Sequence, residues 1–115
     1  IARAQRPRFE KGPVMFNPGA VVNCDFEGFL KFLRSKTRAF LKLDGHDYYV
    51  THTDCFWRVQ DCAALNEKGH FSDCSELVNT MAELVELPWK AGKSIHDLYS
   101  DLEVREAVEQ LDTAA

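Results

Sequence analysis

No stretch of this sequence approaches the roughly 20 consecutive apolar residues that a bilayer-spanning helix needs, which argues against a helical membrane protein. Cysteine is sparse: four in 115 residues, too few for the disulfide-dense scaffolds of small secreted domains. None of the four stands in the tight C-x2-C or C-x4-C knuckle that opens most structural zinc sites. With six glycines and four prolines, the chain is neither collagen-like nor of low complexity. No internal repeat is visible, and the opening IARAQRPRFEKGP lacks the apolar stretch of a secretory signal. That opening and the cysteine pattern together lead us to expect a cytoplasmic protein without disulfides.

What remains is a chain of ordinary globular composition, 45% hydrophobic and 28% charged. At 115 residues it matches one domain, and folding buries about two-thirds of the unfolded surface, enough for a core without staples. The net charge of -4 conceals an asymmetry. Residues 1–43 hold nine Lys/Arg against three acids, a net of +6, and residues 44–115 hold five against fifteen, a net of -10. Such blocks are usually solvated faces that attract each other, although a basic block also suits an acidic partner. The negative total disfavours nucleic acid, because acidic surfaces repel phosphates.

Residues 1–20 read as a basic, proline-containing arm, with Pro7, Pro13 and Pro18 interrupting regular structure and Val14–Phe16 able to add an edge strand. Residues 21–115 read as a single α+β domain. Asn23 or Asp25 can cap a helix whose apolar residues are Phe26, Phe29, Leu30 and Leu33. TRAFLKL and HDYYVTHT flank Asp44-Gly45, the preferred pair for a two-residue type I′ turn. Zipping outward pairs Leu43 with His46, Lys42 with Asp47, Leu41 with Tyr48, Phe40 with Tyr49 and Ala39 with Val50. A third strand, CFWRVQ, is expected after a turn near Thr53-Asp54, with Cys55, Trp57 and Val59 on the core face. A helix beginning at Ser72 or Asp73, a helical turn capped by Ser94, and a last helix capped by Ser100-x-x-Glu103 follow from their capping spacings. The expected fold is therefore α+β: an N-terminal helix, a three-stranded antiparallel β-meander, and two or three C-terminal helices packed on the sheet.

Few motifs carry chemistry. The AGKS at 91–94 ends like a phosphate-binding loop, but Leu87 stands where that loop needs its first glycine. Cys55, Cys62, His70 and Cys74 are a possible zinc set, yet their C-x6-C-x7-H-x3-C spacing is open, and each cysteine follows an aspartate that disfavours the thiolate. We expect no metal and no cofactor. His52 and Cys55 could meet across a turn as a nucleophile pair, but no orienting third group accompanies them. His46 and His96 read as surface residues, and Asp97, Asp101 and Glu103 as complements to helix dipoles.

The second face of the meander is the candidate binding surface. Arg38, Phe40, Lys42, Tyr49, Phe56 and Arg58 share it in the expected register, a basic-aromatic set able to hold a partner's anchors or stack bases. The alternative is that a helix covers this face and its aromatics are core. No triad, carboxylate pair or metal signature points to an enzyme. The expectation is a non-catalytic protein-binding module or homo-oligomer, analogous in size and charge to inhibitor, immunity-like or mobile-element accessory proteins. A small-ligand-binding protein or enzyme with a pocket on the sheet is the rival. A deep aromatic pocket would favour the rival, and a flat apolar patch the module.

Overall fold

A computed structural model of the protein describes residues 16–67 and 69–109. In chain order its elements are β1 (Phe16–Val21), α1 (Phe26–Lys36), β2 (Arg38–Leu43), β3 (His46–Thr53) and β4 (Phe56–Leu65). Then come β5 (Phe71–Asp73), α2 (Met81–Glu86), α3 (Ile95–Leu98), a 3₁₀ turn at Tyr99–Asp101, and β6 (Glu103–Glu109). The strands form one antiparallel sheet in the order β1-β6-β2-β3-β4-β5. The expected fold class is thus corrected. The protein is mostly a six-stranded antiparallel sheet with a few short helices, not a helix and meander followed by C-terminal helices.

The central hairpin forms in the register that the Asp44-Gly45 turn dictates, from Leu43↔His46 out to Arg38↔Thr51. Asp44 (φ 51°) and Gly45 (φ 80°) both take the left-handed conformation of a type I′ turn. The next turn is of the same kind but falls one residue later than expected, at Asp54-Cys55 (φ 54° and 72°) between the paired Thr53 and Phe56. Cys55 is therefore an exposed turn residue, not a neighbour of Trp57 and Val59 on the core face. A left-handed conformation costs a residue with a Cβ about 1–2 kcal/mol, which this turn bears where Gly45 avoids it.

Helix α1 is capped by Asp25, whose carboxylate accepts from the Gly28 N–H at 2.8 Å, and it ends at left-handed Thr37, whose N–H donates to Leu33 O at 2.8 Å. The other helices are short. Thr80 with Glu83 and Ser94 with Asp97 form complete capping boxes at α2 and α3. The helix expected from Ser72 or Asp73 is instead a strand and an irregular stretch, because this segment closes the open edge of β4. Asp73 pairs with Gln60, Cys74 donates to Val59 O at 2.9 Å, and Val78 exchanges hydrogen bonds with Trp57 at 2.8 and 3.1 Å. Unpaired backbone along a ten-residue strand would be costly.

The last expected helix is also a strand. Glu103, Arg105, Glu106 and Ala107 favour helix by only tenths of a kcal/mol each. As β6 the same residues pair on one side with β1 and on the other with β2, where Val104 faces Leu41 and Arg105 faces Phe40. Leu111, expected in that helix, lies outside the described residues, as do residues 1–15.

All three helices pack on one face of the sheet. Phe29 and Leu33 of α1, Leu84 and Val85 of α2, and Ile95 and Leu98 of α3 close over Ala39, Leu41, Tyr48, Val50, Trp57, Val59 and Val104. The other face carries no helix among the described residues. It curls instead. β1 shifts register between Pro18 and Val21, and such bulges bend a strand. Gly19 sits there so close to Val108 that a Cβ would collide with Val108 Cγ2.

Candidate functional site

Cross-strand pairing lays two rows of side chains across the uncovered face. Arg38, Thr51 and Arg58 face one another on β2, β3 and β4, and Phe40, Tyr49 and Gln60 form the next row. In a flat sheet β1 would lie about 14 Å from β3, three strand spacings away. The Phe16 ring of β1 nevertheless stacks 6.3 Å from the Tyr49 ring, and from the opposite edge the Phe71 ring of β5 meets Tyr49 edge-on at 5.7 Å. The two sheet margins thus fold toward each other over the middle strands and leave a concave cleft of about 510 Å³ between them.

Phe16, Tyr49 and Phe71 wall the cleft, Arg38, Thr51 and Arg58 lie along it, and Asp54, Asp73 and His70 border it. The Arg38 guanidinium lies 4.3 Å from the centre of the Phe16 ring, a cation–π contact. Arg58 donates from Nη2 to Thr53 O at 3.0 Å and stands 3.4 Å from the Asp73 carboxylate. The Nε atoms of both arginines are buried and meet no acceptor among the described residues. Burial raises the Tyr49 phenol above its ordinary range, opposed by a hydrogen bond with Thr51 and by the Arg38 charge. Its O–H is therefore kept at neutral pH.

The six residues expected to form the binding surface separate into three groups. Arg38, Tyr49 and Arg58 line the cleft. Phe40 is buried at 2% exposure beneath it, packed on Tyr49 at 4.8 Å and edge-on to Phe71 at 6.4 Å. Lys42 is exposed, with Asp47 and Glu103 opposite it on the neighbouring strands, and Phe56 is half-buried outside the lining. Phe71 was beyond the sequence reading because its strand was not recognised, and Phe16, read as able to join an edge strand, was not assigned to the site. The signal for β5 was present: Asn66 and Gly69 make the turn that returns the chain, with Gly69 N–H donating to Asn66 O at 2.9 Å and His70 N–H to Asn66 Oδ1 at 3.0 Å.

Comparison of the chain with protein families, with curated sequences and with solved structures finds no match. The site must therefore be read from its own chemistry. Its lining offers cationic, hydroxyl and amide donors and aromatic walls, which bind and orient. The nucleophile pair considered from the sequence, His52 and Cys55, lies outside the lining. Cys55 is exposed in its turn, and the His52 ring lies tilted against Trp57 at 5.0 Å without a hydrogen bond to Cys55. Burial, with the nearby Asp47 and Asp61 charges, pushes the Cys62 thiol up to about 12, and burial beside Asp61 and Asp73 pushes Cys74 up to about 11. These are thiols, not thiolates, at neutral pH. All four cysteines are free, and no cluster of three or more metal-ligating side chains occurs among the described residues.

Two histidine–carboxylate pairs flank the helix-covered side. His46 Nε2 and Asp61 Oδ1 are 2.7 Å apart, beside Tyr48 and Lys90. His96 Nδ1 lies 2.7 Å from Glu86 while its ring stacks on Phe26 at 4.1 Å. They join residues 15 and 10 apart in sequence, and neither borders the cleft. No helix among the described residues is long and apolar enough to cross a membrane.

Proposed function

We propose that this protein is a non-catalytic module that binds a small molecule in the concave cleft of its sheet. The observation that carries the reading is the cleft itself: about 510 Å³, within the roughly 300–1,000 Å³ of ligand sites, walled by aromatic rings from both sheet margins and left open by the helices. The expectation of a protein-binding module draws less support. Among the described residues the exposed large apolar side chains are Val21 and Val108 on β1 and β6, and Leu65 and Leu77 near the opposite end of the strand order, so they do not gather into one flat apolar docking face. A catalytic reading draws less support: the lining holds hydroxyls (Thr51, Thr53, Ser72) and bases (His70, Asp54, Asp73), but no hydrogen bond joins one to the other among the described residues.

The test is a backbone-amide NMR titration with a neutral bicyclic aromatic, 2-naphthamide. Saturable shifts concentrated at Arg38, Tyr49, Thr51 and Phe71 are expected. Shifts scattered over the surface, or none at millimolar probe, would defeat the reading.

A further inference from the structure

Resting on that reading of the cleft, we infer that its ligand is a flat apolar carboxylate, its anion held between Arg38 and Arg58 over Thr51 and its body stacked among Phe16, Tyr49 and Phe71. Two arginines in one row, two strand spacings or roughly 10 Å apart, repel each other unless something negative stands near both. Only one of them has such a partner. Arg58 is held 3.4 Å from Asp73, and Asp73 also accepts from Gln60 at 2.9 Å, so that end of the cleft is neutralised within the protein. Arg38 makes no ion pair among the described residues. Its guanidinium is held against the Phe16 ring, and its buried Nε has no acceptor.

A buried N–H donor without an acceptor is unfavourable, and the floor carries two, the Nε atoms of Arg38 and Arg58. Beside them lies Thr51, only 3% exposed, whose hydroxyl is hydrogen-bonded with Tyr49. Both Nε atoms lie out of reach of the cleft, so it is the Nη ends of the two guanidiniums that a ligand would meet. The charge count sets the valence of the ligand. Asp54 and Asp73 also border the cleft; Asp73 is already paired with Arg58, and Asp54 repels each further negative charge on a ligand, so a monoanion suits the site better than a dianion. A single carboxylate suits a planar fork such as Arg38, which binds it with two parallel hydrogen bonds.

Three probes sharing one ring system separate the possibilities: 2-naphthoate, 2-naphthyl phosphate and 2-naphthamide. Naphthoate should bind the wild-type protein at least tenfold more tightly than the amide and more tightly than the phosphate. Its affinity should fall with added salt while that of the amide does not. Arg38→Gln should erase the preference for the acid over the amide, and Arg38→Lys should keep part of it. If Arg38→Gln fails to fold, as judged by circular dichroism, the salt dependence in wild-type protein decides alone. Equal binding of acid and amide at the cleft amides would overturn the carboxylate while leaving the cleft reading intact. Tighter binding of the phosphate would overturn the choice of anion. Binding of none of the three would overturn the cleft reading and this inference with it.

Discussion

The two faces of the sheet are made by alternate residues of the same strands, yet they are finished in different ways. On one face Leu41, Val50 and Val59 are fully buried under Phe29, Leu33, Leu84 and Ile95 from three helices. On the other, Phe40, Tyr49 and Thr51 are nearly as buried, at 2%, 7% and 3% exposure, but no helix among the described residues covers them. Rings from the sheet's own margins and guanidiniums from its inner strands do so instead, and they leave a cleft. Burial alone therefore does not distinguish a core from a site. Helices supply close-packed aliphatic contacts, whereas a sheet curling on itself supplies a floor and two walls with room between them.

Neighbouring substitutions on opposite faces give the largest test of this contrast. Leu41→Ala should cost about 4 kcal/mol, near the upper part of the range for buried leucines, because helices on that side cannot collapse into the space. Phe40→Ala removes more atoms but should cost only about 3 kcal/mol, since the adjoining cleft lets Tyr49 and Phe71 resettle. Urea denaturation of both variants measures this. A larger loss for Phe40→Ala would mean that the concave face is a closed core.

Thiol chemistry sharpens the contrast between sheet and turn. With their thiols pushed up to about 12 and about 11, Cys62 and Cys74 should be alkylated by iodoacetamide at pH 8 roughly a hundredfold more slowly than exposed Cys55, because the thiolate is the reactive form. Peptide mapping over time reads the order. Cys62 reacting first would place it outside the protected part of the sheet.

The two meander turns should respond oppositely to one kind of change. Gly45→Ala places a Cβ at φ 80° and should destabilise by about 1 kcal/mol. Cys55→Gly relieves the same strain at φ 72° and should stabilise by about 1 kcal/mol, partly offset by the greater freedom of glycine in the unfolded chain. Thermal melts of the two variants should move in opposite directions.

The smallest expected effect is on pH dependence. The hydrogen bond from His46, and then that from the Ala63 N–H, hold the Asp61 carboxyl below the ordinary carboxylate range. A depressed folded pKa adds stability above the unfolded value near 3.9, and that stability is lost as pH falls through the folded value. Asp61→Asn should therefore flatten the acid limb of the stability curve below about pH 4. The change should be slight because the pair is open to solvent. An unchanged acid limb would remove Asp61 from the groups that set it.

How much was legible depended on how local the determinant was. The Asp44-Gly45 turn carries its own geometry, so the pairing from Arg38↔Thr51 to Leu43↔His46 and the shared face of Arg38, Tyr49 and Arg58 could be read directly. Asp25 and Ser94 were legible as caps for the same reason, since a cap is satisfied within four residues. Asp73-x-x-Glu76 and Ser100-x-x-Glu103 have the same capping spacing, but their backbones pair with β4 or lead into a strand between β1 and β2.

By itself, then, the sequence determined the hairpin, its register, the first helix and which side chains share a face, because turn chemistry and alternation act over a few residues. Only the tertiary structure decided that 71–78 would close one sheet margin and 103–109 would become a strand, because hydrogen bonds to distant strands outweigh small local preferences. The cleft belongs to that second class. Its floor was written in the meander, but its walls, Phe16 and Phe71, come from the two margins, and only the curl of the whole sheet brings them over Tyr49.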